Sequence, residues 1–103
     1  MIIEENCNIN IDLRDNVSLE TLMIGKNFSG TVNLSRTGIE SIFIADSCCC
    51  NLNMDDSKKC CNLRIGDIYS GNLNMANSCL YALEIGYYSY ADIVLSNNII
   101  KRG

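Results

Sequence analysis

Apolar and polar residues along this chain come in short bursts, and the bursts recur at a nearly fixed interval. Leu22-Met23-Ile24-Gly25, Ile42-Phe43-Ile44-Ala45, Leu63-Arg64-Ile65-Gly66 and Leu83-Glu84-Ile85-Gly86 are one phrase written four times, at steps of 20, 21 and 20 residues. A second phrase follows each copy: Val32-Asn33-Leu34, Leu52-Asn53-Met54, Leu73-Asn74-Met75 and Ile93-Val94-Leu95. Alternate residues of a strand share one face, so each phrase predicts a short strand with two side chains inward and one outward. The expected strands lie near 21–24, 31–34, 41–44, 51–54, 62–65, 72–75, 82–85 and 92–95. A helix needs apolar residues three and four apart over a long window. Leu19 and Leu22 begin such a pattern, but Gly25 and Gly30 interrupt it.

This register makes each repeat one coil of a solenoid whose coils stabilise one another by stacking. Successive coils then pair as parallel strands about 4.8 Å apart. The chain is expected to form one domain over 1–103: a cap and partial coil over 1–17, four repeats over 18–98, and a C-terminal end over 99–103. Within the first segment, Ile9, Ile11 and Leu13 form the partial coil and Met1–Asn6 the cap. Polar turns follow the second strands at Ser35-Arg36-Thr37, Asp55-Asp56-Ser57, Ala76-Asn77-Ser78 and Ser96-Asn97-Asn98. Small residues mark the bends at Gly25, Ala45, Gly66 and Gly86, and a second small column holds Gly30, Cys50, Gly71 and Ala91.

The repeat subdivides by fives: Leu19, Ile24, Ser29, Leu34, Ile39, Ile44, Cys49, Met54, and after one extra residue Cys60, Ile65, Ser70, Met75, Leu80, Ile85, Tyr90, Leu95, Ile100. The five-residue step over 19–100 resembles pentapeptide-repeat proteins, as does the small Ser78 two before Leu80. That resemblance implies a right-handed quadrilateral β-helix. Most coils depart from it by carrying Leu or Ile where the family has a small residue. The phrase Leu19-x-x-Leu22-x-Ile24-x-x-Asn27, echoed in Ile39-x-x-Ile42-x-Ile44 and Leu80-x-x-Leu83-x-Ile85, also resembles a leucine-rich repeat, although the asparagine appears only at Asn27. The predicted fold is therefore all-β: a right-handed parallel β-helix or solenoid of about four 20–21-residue coils, with a leucine-rich-repeat-like solenoid as the alternative. Both resemblances imply protein binding rather than chemistry.

Composition narrows the function classes. With 48% apolar and 19% charged residues the chain is not a disordered tail. A net charge of −4 argues against binding phosphate backbones and permits a basic partner. No run of 18 apolar residues exists to span a membrane as a helix, and MIIEENCN lacks the basic residues and apolar block of a signal peptide. No direct nucleic-acid or membrane contact is expected.

Seven cysteines are present, three of them consecutive at Cys48, Cys49 and Cys50, and there is no histidine. Vicinal cysteines pair poorly, so the expectation is reduced thiols in a cytoplasm, that of the producing cell or of a host cell. Cys49 takes the place of Ser29 and Ser70, Cys50 that of Gly30 and Gly71, and Cys60 aligns with Leu19, Ile39 and Leu80. Cysteine packs as a small hydrophobe, so these read as structural. The metal reading instead gathers Cys48, Cys50, Cys60 and Cys61 as thiolates, without a C-x-x-C pair. Cys61 is the expected exposed, oxidisable thiol. Asn33, Asn53 and Asn74 are expected to stack as an outward ladder.

No catalytic constellation converges. Asp55 and Asp56 are neighbours on a turn, and the glycines are spread one per coil rather than grouped in a phosphate loop. No enzyme activity, cofactor or metal is expected. The outward file Met23, Phe43, Arg64 and Glu84, beside Glu20, Glu40, Cys61 and Tyr81, has the composition of an interface core. Phe28 and Tyr69, with Tyr87, Tyr88 and Tyr90, add a second aromatic set. The expected function is a non-enzymatic module that occludes or recruits one protein target, as would suit a phage or mobile-element inhibitor or a bacterial effector domain. The alternatives are a scaffold stacking end to end, with a homodimer through terminal coils, and a cysteine-based metal-binding protein.

Overall fold

The computed structural model describes residues 1–56, 60–94 and 99–100, and among them there are strands and turns but no helix. Eleven strands follow in order: β1 (Ile2–Ile3), β2 (Ile11–Asp12), β3 (Thr21–Ile24), β4 (Ser29–Asn33), β5 (Ser41–Ile44), β6 (Cys49–Asn53), β7 (Cys60–Ile65), β8 (Ser70–Asn74), β9 (Cys79–Ile85), β10 (Tyr90–Val94) and β11 (Ile99–Ile100). Odd-numbered strands build one sheet and even-numbered strands the other. Every pairing is parallel. The protein is thus a β-solenoid of about four turns, each turn adding one strand to each sheet.

The register stacks like on like. Ile3, Ile24, Ile44, Ile65 and Ile85 form one file across the first sheet. Ile11, Val32, Leu52, Leu73 and Ile93 form another across the second. Leu22, Ile24, Ile42, Ile44, Leu63 and Ile65 point inward and are buried, as the alternation predicts. In the second sheet the strands begin two residues earlier than the expected spans and end one earlier. Leu34, Met54 and Met75 are buried at the corner just beyond the strands. Their inter-coil bonds persist there, with the Leu34 N–H donating to the Asn53 carbonyl at 2.7 Å. At the start of the chain, Ile2–Ile3 is a strand paired with Met23–Ile24. The expected turn residues Ser57 and 96–98, and Leu95, lie outside the described residues.

Among the described residues, corners recur every half coil, and a left-handed residue follows the strand at each of nine of them. Asn6, Asn27, Ser47, Ile68 and Tyr88 follow the first-sheet strands, and Asp15, Arg36, Asp56 and Asn77 follow those of the second, all with φ between 55 and 63°. Asn and Asp tolerate this region best, whereas β-branched Ile68 is there at a cost. The corners are tied from coil to coil. Asp46 Oδ1 accepts the Asp67 N–H, and Asp67 Oδ1 the Tyr87 N–H, both at 2.8 Å. Two buried hydroxyls are satisfied by backbone carbonyls: Thr37 Oγ1 donates to Leu34 within its own coil, and Ser78 Oγ to Met54 of the preceding coil.

Asn33, Asn53 and Asn74 do stack in register, but their Oδ1 atoms serve their own corners. Each accepts a backbone N–H two residues on, from Ser35, Asp55 and Ala76, at 3.1 Å. They are turn-closing side chains of the Asx kind, not a ladder along the axis.

The step of five fails in one quarter of the coil. Ser29 and Ser70 are half-buried, and Cys49 and Tyr90 are exposed. The interior there is filled from one position earlier, by Phe28, Cys48 and Tyr69, all fully buried. Backbone bonds set this file, running Cys7, Phe28, Cys48, Tyr69. Its large and small members alternate, and the position two further on compensates. Phe28 and Tyr69 are followed by Gly30 and Gly71, while the small Cys48 is followed by a buried Cys50. The three coils of Phe28, Cys48 and Tyr69 therefore supply either one large ring or two small thiols, which keeps the interior there at close packing. Gly30 has φ +136°, and an added Cβ would lie 2.0 Å from the Ile9 carbonyl oxygen, so no side chain fits beside Phe28. The Tyr69 hydroxyl donates to the Cys50 carbonyl, which satisfies its polar end inside the core.

Candidate functional site

The outer face of the first sheet is where strand alternation turns non-core side chains to solvent. Ile2, Met23, Phe43, Arg64 and Glu84 line up there in one file. Its first three members are apolar and exposed: Ile2 73%, Met23 45% and Phe43 37%. Its last two form an exposed ion pair, Arg64 Nε to Glu84 Oε2 at 2.8 Å. Such a pair adds little stability in water, so the pattern is not needed to hold the coils together.

A hollow of about 300 Å³ opens beside this file. It is lined by Ser41, Phe43, Asn62, Arg64, Ala82 and Glu84. Its floor is the neighbouring outward file Ser41, Asn62, Ala82, where the side chains are short. Glu20 and Glu40 are exposed just before β3 and β5. Tyr81 is exposed and sits at a register irregularity: Cys61 pairs with Leu80 and Asn62 with Ala82, so Tyr81 is the extra residue of β9. A bulge of this kind re-aims a side chain.

The structure brings together Met23, Phe43, Arg64 and Glu84, with Glu20, Glu40 and Tyr81 at the margin. It corrects two others. Phe28 and Tyr69 are core residues and offer nothing to a partner. They precede a strand whose apparent inward residues, Ser29 and Ser70, are small and polar, and counting by fives put the rings on the wrong side. Tyr87, Tyr88 and Tyr90 are well exposed at and after a corner. Ile2 is the member of the face that sequence reasoning missed. Its signal was the dipeptide Ile2-Ile3, which repeats the ending of Leu22-Met23-Ile24.

The cysteines do different work from one another. Cys48 is buried and its Sγ donates to the Gly25 carbonyl at 3.3 Å. Cys61 is also buried, which corrects its expected exposure: it pairs with Leu80 and takes the inward place that counting assigned to Cys60. Burial pushes the Cys50 and Cys61 thiols up to about 12, so neither is a ready thiolate. Cys49 is exposed, with Sγ 2.8 Å from Ser70 Oγ. Cys79 is disulfide-bonded, so the expectation of seven reduced thiols does not hold for it; Cys60 is its backbone partner across β7 and β9. Among the described residues, no three His, Cys, Asp or Glu side chains come together as a metal site.

No protein-family model matches the chain, and neither the curated proteins nor the solved structures give a match.

Proposed function

We propose that this protein is a non-enzymatic binding module that docks a partner protein on the outer face of its first sheet. The observation that carries the reading is the exposed file Ile2, Met23, Phe43 beside a hollow floored by short side chains. A rigid sheet presents such a file without an ordering cost, and large apolar groups bordered by an arginine have the composition of an interface centre. The module would act by occluding or recruiting its target, as a small inhibitor or effector domain does, in the cytoplasm of the producing cell or of a host. The five-residue step supports a pentapeptide-like ancestry outside the Phe28 file and the irregularity at Cys61. The test is Met23→Glu with Phe43→Arg. Loss of partner capture from the source cell, with the circular-dichroism spectrum retained, is expected; undiminished capture would remove this face.

A second reading, end-to-end assembly, is favoured by one observation. Among the described residues β10 is the edge strand of the second sheet, and Ile85 and Ile93 in that coil are each 37% exposed although they continue core files. Unpaired strand edges invite a second copy. A sedimentation coefficient independent of concentration would dispose of it.

A further inference from the structure

The charges around the apolar file are unevenly placed, and their placement suggests the chemistry of the partner. Each arginine among the described residues has a carboxylate within hydrogen-bond distance. Arg14 pairs with Asp12 at 2.7 Å, Arg36 with Asp15 at 2.6 Å, and Arg64 with Glu84 at 2.8 Å. Around Ile2, Met23 and Phe43 the balance is different. Glu4 and Glu5 follow β1, Glu20 precedes β3, and Asp46 follows β5, all of them exposed. Among the described residues the cations near them are Lys26, which lies opposite Glu5 by continuation of the β1–β3 register, and Arg64, which is already paired with Glu84. The exposed apolar surface is therefore framed by carboxylates on both ends of its strands.

Resting on the docking reading above, we infer that the partner presents a cationic segment: an apolar anchor residue bracketed by lysine or arginine. The anchor lies on the exposed file Ile2, Met23 and Phe43, and the flanking cations meet Glu4 beyond one end of these strands and Glu20 before the other. Rim charges of this kind raise the association rate and exclude acidic competitors more than they add affinity. They also act on approach, because a field of one sign around an apolar patch steers an oppositely charged partner. An acidic or neutral anchor segment would meet the same file with its flanks repelled or unpaired.

The experiment uses the isotopically labelled full chain and two synthetic peptides with the same apolar anchors. One carries lysine at the flanking positions and the other glutamate. Chemical-shift perturbation reports the site and the affinity. The lysine peptide is expected to shift Met23, Phe43 and Arg64, to bind about tenfold or more tightly than the glutamate peptide, and to weaken as salt rises from ~50 to ~300 mM. Glu4→Lys with Glu20→Lys is expected to reverse the preference while the circular-dichroism spectrum stays the same. Equal binding of both peptides at this face would overturn the cationic partner and leave the docking face standing. Shifts confined to other surfaces, or no binding by either peptide, would overturn both.

Discussion

Replacing Phe28 with alanine tests the interior most sharply, because counting by fives and the folded coil give opposite answers there. In the coil, Phe28 is fully buried, with Cys7 and Cys48 as its small neighbours along the file. Gly30 beside it has no side chain to swing into a void, and its backbone abuts the Ile9 carbonyl. The site therefore cannot collapse, and truncation should cost about 3–5 kcal/mol, the range for buried Phe→Ala with an unrelaxed cavity. Against a total of about 5–15 kcal/mol for a domain of this size, that is a large share. With a urea slope of about 2 kcal/mol/M, the midpoint should fall by about 1.5–2.5 M. The control is Ser29→Ala, which should change stability by less than about 0.5 kcal/mol because that side chain is only half-buried. Equilibrium urea unfolding followed by circular dichroism measures both. A Phe28→Ala protein as stable as the parent, or a Ser29→Ala protein that is the weaker of the two, would refute the proposed file.

Three further outcomes follow from the same coordinates. Tyr69→Phe leaves the buried Cys50 carbonyl without its hydroxyl partner and should cost about 1–3 kcal/mol in the same assay. Brief alkylation of the native protein at mildly alkaline pH, mapped by peptide mass, should modify Cys49 first and spare Cys50 and Cys61, whose burial holds them protonated. The Arg36 guanidinium bonded to Asp15 holds that carboxyl below the usual carboxylate range. Its small contribution is therefore present above about pH 4 and is lost as pH falls through the folded value. Asp15→Asn should slightly lower the urea midpoint at neutral pH, and the difference should close in acid.

The solenoid was legible from the chain because its repeat is written in both phrases at once. Apolar pairs two apart at steps of 20 and 21 residues leave parallel stacking as the arrangement that buries all of them. The isoleucine file from Ile24 to Ile85 and the outward file from Met23 to Glu84 follow from that register alone. Three features did not follow from it, and each sits where the chain leaves a regular strand. A corner with a left-handed residue uses a different number of residues from a straight run. The step from Ile24 through Asn27 to Phe28 is four rather than five, which turned the aromatic rings inward. A bulge at Tyr81 shifted Cys61, not Cys60, into line with Leu80. The asparagine amides found nearer partners in their own corners than in the next coil. Alternation records which side of a strand faces the core; how many residues each corner consumes depends on backbone torsions and on the volume left inside the coil, and these are settled only when the coils close and pack.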